Sequence, residues 1–220
     1  MANQIATVNG IAIANIANLN GITDANLAKW NGREFTSVLP EAHTLIATAT
    51  ASSSATLSFT SGIDSTYDVY EFRFENMHPT YDDVGFEFQV NASGQSGFNE
   101  TITSTMIRTY HNESDSAANV DYLSSHDQAQ GTAYQTLSHQ IGSLNDECTS
   151  GILTLYNPSS ATYVKHFTAR FNGLTHHEYS MERHVAGYIN TTAAIDEINF
   201  KFSSGSIQLG QIKMYGIAKA

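Results

Sequence analysis

The chain has 220 residues, 41% of them hydrophobic and 14% charged, a length that suits one large all-β domain or two smaller units. Its 21 acidic and 10 basic side chains give a net charge of −11 with no Lys/Arg cluster, which argues against binding nucleic acid or anionic lipid through phosphate neutralisation. A single cysteine, Cys148, excludes an intrachain disulfide framework; no basic region precedes an apolar run, and Asn and Gly break every hydrophobic stretch short of a membrane span, so neither a signal peptide nor membrane insertion is expected.

The first element is a repeat. Ile5-Ala6-Thr7-Val8-Asn9-Gly10 is followed at a step of eleven by Ile16-Ala17-Asn18-Leu19-Asn20-Gly21 and again by Leu27-Ala28-Lys29-Trp30-Asn31-Gly32. Eleven residues also fit three helical turns, the signature of a right-handed supercoil. The Asn-Gly pairs oppose that reading, because Gly inside a helix costs about 1 kcal/mol relative to Ala while Asn-Gly is the strongest short signal for a type I′ turn. Short extended segments joined by tight turns are therefore predicted. Each unit carries too few apolar side chains to stand alone. Residues 1–38 thus read as an attachment or oligomerisation segment, with Ile5, Val8, Ile16, Leu19, Leu27 and Trp30 as the apolar interface.

The pattern lapses from Glu34 to Pro40, which reads as a linker, and residues 43–220 then alternate with period two. Tyr70, Phe72 and Phe74 share one strand face and Glu71, Arg73 and Glu75 the other; Phe86, Phe88 and Val90 alternate in the same way with Glu87, Gln89 and Asn91. Further strands are predicted over 44–49, 55–60, 152–156, 163–171, 184–189, 198–202 and 207–217. Half-apolar strands in this number describe two antiparallel sheets packed face to face, a jelly-roll-like β-sandwich of all-β class. The apolar parity switches between Ile207/Leu209 and Ile212/Met214, so a bulge or sharp bend is predicted at Gly210. In 111–151 and 172–183 the alternation weakens and polar residues dominate, so both read as long loops.

Chemistry is sparse. His176, His177, Glu178 and His184 form the densest potential ligand set, but adjacent histidines on an extended strand face opposite ways, and no zinc-type spacing is present. Asp82, Asp83, Asp115, Asp121 and Asp127 lack the spacing of a calcium loop. No nucleophile elbow and no phosphate-binding Gly-rich loop occurs, so neither catalysis, metal nor cofactor is expected. Cys148 reads as a small apolar residue, since nothing near it in sequence would favour its thiolate. Carbohydrate binding is the competing reading. Tyr81, Tyr110, Tyr122, Tyr134 and Tyr179 offer stacking platforms, and His176, His177 and Tyr179 form a candidate ligand loop; the alternative is that these tyrosines anchor loops or fill subunit interfaces.

Two stretches carry a resemblance. The Val-Asn-Gly and Leu-Asn-Gly units look like the N-terminal attachment repeats of fibre-type proteins of tailed bacteriophages. The segments Tyr67–Phe72, Phe88–Ser93, Tyr188–Thr192 and Phe202–Gly205 are similar to virion structural proteins of marine and cyanobacterial tailed phages. The resemblance implies a β-rich, non-enzymatic part of the virion, assembled in the host cytoplasm. It would be homotrimeric and bound to other virion proteins as a head or tail fibre, decoration or adaptor. The alternative is a lectin-like module that recognises a host surface glycan.

Overall fold

The computed structural model describes residues 43–217 continuously and, before them, residues 7–8, 11–12, 18–19, 22–23, 29–30 and 33–34. No helix occurs among the described residues. The chain divides into two compact units, Met1–Thr44 and Leu45–Ala220.

In the first unit, β1 (Thr7–Val8) pairs antiparallel with β2 (Ile11–Ala12), β3 (Asn18–Leu19) with β4 (Ile22–Thr23), and β5 (Lys29–Trp30) with β6 (Arg33–Glu34). The innermost partners are Val8↔Ile11, Leu19↔Ile22 and Trp30↔Arg33, so each connection is two residues long and is an Asn-Gly pair. The eleven-residue step is thus a row of three short hairpins, as the preference of Asn-Gly for two-residue connections dictates. Val8, Leu19 and Trp30 each end the first strand of a hairpin. Ile5, Ile16, Leu27 and the linker from Phe35 to Pro40 lie outside the described residues.

The second unit contains two sheets. The smaller comprises β8 (Leu57–Phe59), β10 (Val84–Ala92), β14 (Gln135–Ile141) and β18 (Ile195–Phe202), in the order β14-β10-β18-β8. The larger is built from β7 (His43–Thr50), β9 (Val69–Pro79), β11 (Ile102–Asn112), β12 (Ala118–Tyr122), β15 (Thr149–Tyr156), β16 (Lys165–Leu174), β17 (Tyr179–Ile189) and β19 (Ile207–Ile217). Its order is β12-β11-β17-β16-β15-β9-β19-β7, and β13 (Ala129–Gly131) pairs beside β11. Without β11–β13, β16 and β17, eight strands remain: β7-β19-β9-β15 face β8-β18-β10-β14. The chain passes between them as β7, β8, β9, β10, β14, β15, β18, β19. That is two interlocked Greek keys, a jelly roll. The remaining strands widen only the larger sheet.

The alternating apolar residues meet between the sheets. Phe72 and Phe74 of β9 and Phe171 of β16 pack against Phe59, Phe86 and Phe200 of the smaller sheet, with ring centroids 5.0–6.1 Å apart across the interface. Tyr70, Phe72, Phe86, Phe88 and Phe200 are wholly buried.

The predicted bend at Gly210 is present, with a different distribution of residues. Between Leu209 and Gln211 the partner strand runs from His78 to Glu75, so Asn76 and Met77 of β9 face Gly210 alone; the extra residue is on β9. A second shift, between Ile207 and Leu209, places an extra residue, Gln208, on β19 and turns Leu209 outward to 59% exposure, against the expectation that it shares the inner face with Ile207. Gly210 has φ +127°, and a Cβ there would stand 2.8 Å from the Asn76 carbonyl oxygen. Gly210→Ala is expected to cost about 1–3 kcal/mol, measured by urea denaturation.

Two loop expectations are corrected. The stretch 111–151 contains the end of β11, all of β12, β13 and β14, and the start of β15; in 172–183 only 175–178 separates β16 from β17. These strands lost their apolar signature because their inner faces carry polar side chains.

Candidate functional site

The larger sheet is wider than its partner. The edge strand β14 of the smaller sheet lies over β16 and β17. Beyond that edge the inner faces of β17 and β11, with Leu123, Ser125 and His126 after β12, line a cleft. Cross-strand register brings the residues together: Arg108 faces Arg183 on one side and Asp121 on the other, while Tyr110 faces Met181 and Asn119. Directly opposed residues of antiparallel strands share a sheet face. Tyr179, two residues before Met181, extends the same row.

The cleft has two adjoining hollows that share Arg108 and Gln140. The smaller, of about 180 Å³, is lined by Arg108, Tyr110, Gln140, His177, Tyr179 and Met181. The larger, of about 470 Å³, continues past Asp83, Glu87, Ser125, His126, Thr136 and His139. Tyr110 and Tyr179 meet edge to face at 5.5 Å, and the Arg108 guanidinium lies 5.0 Å from the Tyr110 ring centroid.

Arg108 donates from Nε and Nη2 to Asp121 Oδ2 at 3.2 and 3.1 Å. Its Nη1 stands 3.4 Å from His139 Nε2. A guanidinium only donates, so His139 Nε2 accepts and the neutral ring carries its proton on Nδ1. Burial, followed by the charge of Arg183, pushes the His139 pKa down to about 2, so the ring is neutral at pH 7. His126, its ring 4.4 Å away, is also lowered, by burial and then by Arg108 and Arg183. Arg183 is completely buried. Its Nη1 donates to the Met181 carbonyl at 2.9 Å and its Nη2 to that of His139. Burial, with the Arg108 charge next, brings its pKa down to about 9, which leaves it cationic at neutral pH. Two buried donors lack an acceptor: Arg183 Nε and His139 Nδ1. Glu87 on the opposite wall is raised by burial, against the pull of Lys201.

The candidate loop is partly assembled. His177 and Tyr179 line the smaller hollow. His176 stacks behind His177 at 3.7 Å with its Nδ1 3.5 Å from Asp83 Oδ1. The two rings therefore lie together in the turn between β16 and β17, not on opposite faces as expected for an extended strand. His184 lies 3.3 Å from Glu182, which pairs with Arg170 on the other face of the larger sheet, away from the cleft. Among the described residues no three His, Cys, Asp or Glu side chains converge as a metal site.

The remaining tyrosines are dispersed. Tyr122 bonds Asp127, and Tyr134 donates to Asn199 under Lys201. Tyr110, Tyr122 and Tyr179 stand on strands, not loops. Cys148 is half-buried and its thiol is pushed up by burial, as suits an inert side chain. The sequence reading missed Arg108, Arg183, His126, His139 and Gln140. For Arg108 a signal was present: Ile102, Ser104, Met106, Arg108 and Tyr110 form one period-two row whose last members turn polar.

No protein-family model, no curated protein and no solved structure matches the chain.

Proposed function

We propose that this is a virion structural protein of the tailed-phage fibre, decoration or adaptor kind, in which the hairpin row attaches or trimerises and the jelly roll is the displayed unit. The observation that carries the reading is the division of labour along the chain: three copies of a minimal hairpin, followed by a jelly roll with a complete core of its own. A two-strand hairpin is marginal in isolation and gains stability from neighbours, so three copies at an eleven-residue step suit a device for association. Burial of a large apolar side chain such as Leu19 or Trp30 between copies contributes about 1.5–3 kcal/mol. The full chain is expected to sediment as a trimer, and a chain lacking residues 1–38 as a folded monomer with an unchanged β-type circular dichroism spectrum. A monomeric full chain that also fails to bind the particle would overturn the reading.

The second reading, a lectin-like module for host glycan, is favoured by the cleft. It joins two tyrosine rings, an amide, a guanidinium and carboxylates in one hollow surface, the groups with which proteins hold sugars. Saturable signals on a glycan array are expected, reduced at least about tenfold in Tyr179→Ala. A flat response across host polysaccharides would remove this reading.

A further inference from the structure

We infer that the cleft selects acidic saccharides, with a ligand carboxylate seated against Arg108 in the smaller hollow and sugar hydroxyls facing Asp83 and Glu87 in the larger. The inference rests on the glycan reading above and names its ligand class.

Charge is the first argument. Arg108 and Arg183 are direct cross-strand partners, and of the two only Arg108 bonds a carboxylate, Asp121, which also accepts from Asn119. Among the described residues no carboxylate pairs with Arg183. Like charges side by side repel, and Arg183, completely buried, is a charge without a counter-ion, which is costly unless something compensates it. A ligand anion beside Arg108 supplies the missing negative charge.

One unused donor belongs to a residue of the cleft. Four buried polar atoms lack partners among the described residues: the acceptors Gln128 Oε1 and Glu147 Oε1, and the N–H donors Arg183 Nε and His139 Nδ1, of which Arg183 borders neither hollow. His139 lines the larger hollow and is 4% exposed. A ligand oxygen in the larger hollow is the acceptor that this side chain lacks.

The two hollows differ in sign. The smaller one contains no carboxylate: its polar groups are a guanidinium, an amide, an imidazole and two phenols. Asp83 and Glu87 occur only in the larger. A polyanion such as a polyphosphate would meet these carboxylates and be repelled. A ligand with one carboxylate and several hydroxyls matches both halves, because carboxylates accept from sugar hydroxyls while Arg108 receives the acid. The edge-to-face tyrosines add apolar surface for a pyranose ring.

The test titrates the full chain by calorimetry with galacturonate, glucuronate and sialyllactose, each carrying one carboxylate, beside neutral galactose, glucose and lactose, and with inorganic phosphate. At least one acidic saccharide is expected to bind about tenfold or more tighter than its neutral counterpart, with a preference that shrinks as salt is raised. Arg108→Gln should abolish the preference, and Arg108→Lys should keep part of it. The salt series on the unmodified chain decides the matter if Arg108→Gln fails to fold. Equal binding of acidic and neutral sugars overturns acid selectivity and leaves the glycan reading intact. Binding of none of the six overturns both. Phosphate competing as strongly as the sugars shows a generic anion site and overturns the saccharide assignment.

Discussion

Replacing Phe74 by Ala lowers the unfolding free energy of the jelly roll by about 3–5 kcal/mol, measured by urea denaturation. Phe74 is 2% exposed, on a strand hydrogen-bonded on both sides by β15 and β19. Its ring lies 5.6 Å from Phe86, 5.0 Å from Phe171 and 5.0 Å from Phe200. Phe86 and Phe200 belong to the opposite sheet, so Phe74 is a principal contact through which the two layers recognise each other. Truncation loses the transfer free energy of a phenyl group and leaves a void bounded by rings that are themselves held by other rings and cannot collapse inward. The neighbours at 171 and 200 are distant in sequence, so the contacts form only when the Greek keys close. Tyr110→Ala, at the partly exposed cleft, is expected to cost far less. A loss below about 1 kcal/mol for Phe74→Ala would mean that the two layers are not locked together through this cluster.

How much of this was legible in the sequence follows one physical rule. Where a strand buries one face in an apolar core, as in Tyr70/Phe72/Phe74 or Phe86/Phe88/Val90, period-two alternation was enough to identify it. The Asn-Gly pairs likewise revealed the hairpins, because two-residue connections demand left-handed backbone that Asn and Gly tolerate. The reading failed at β11 and β14. In β14 the buried residues Gln135, Leu137, His139 and Ile141 alternate polar with apolar, since the strand forms the wall of the cleft as well as the edge of the core. In β11 the inner row runs Ile102, Ser104, Met106, Arg108, Tyr110, from core into cleft, and the hydrophobic signal fades along it. Two of the strands that resisted recognition, β11 and β14, thus build the site, whereas β12 and β13, read equally as loop, line neither hollow. Sites violate the local rules that the rest of a fold obeys. Gln89 shows the same effect on a smaller scale: it is fully buried on the outer face of β10, where its amide donates to the carbonyls of Glu100, Thr132 and Ala133 and so ties loops across the sheet.

Acidification from pH 7 to pH 5 is expected to destabilise the jelly roll by about 2 kcal/mol through His139 alone. In the folded chain this ring titrates at about 2, against 6.5 for an unperturbed histidine. Above pH 6.5 it is neutral in both states and contributes no pH dependence. Below that, the unfolded chain takes up a proton that the folded chain refuses until about pH 2, so stability falls by about 1.4 kcal/mol for each pH unit through this window. His126, lowered in the same sense, steepens the fall. Carboxylates held low in the folded state, such as Asp64 with its Thr66 hydrogen bonds and Glu182 beside Arg170, have the opposite placement: their contribution is lost only as pH drops below the carboxylate range. A decline between pH 7 and 5 therefore belongs to histidine. His139→Gln, which keeps an acceptor for Arg108, should flatten it, while the urea midpoint at pH 7 changes little. If the wild-type profile is already flat over this range, or His139→Gln retains the full slope, His139 is not held neutral between the two arginines. The same substitution leaves Arg183 buried and cationic, so it separates the cost of refusing a proton at position 139 from the cost of burying charge at 183. The first varies with pH across this window and the second does not.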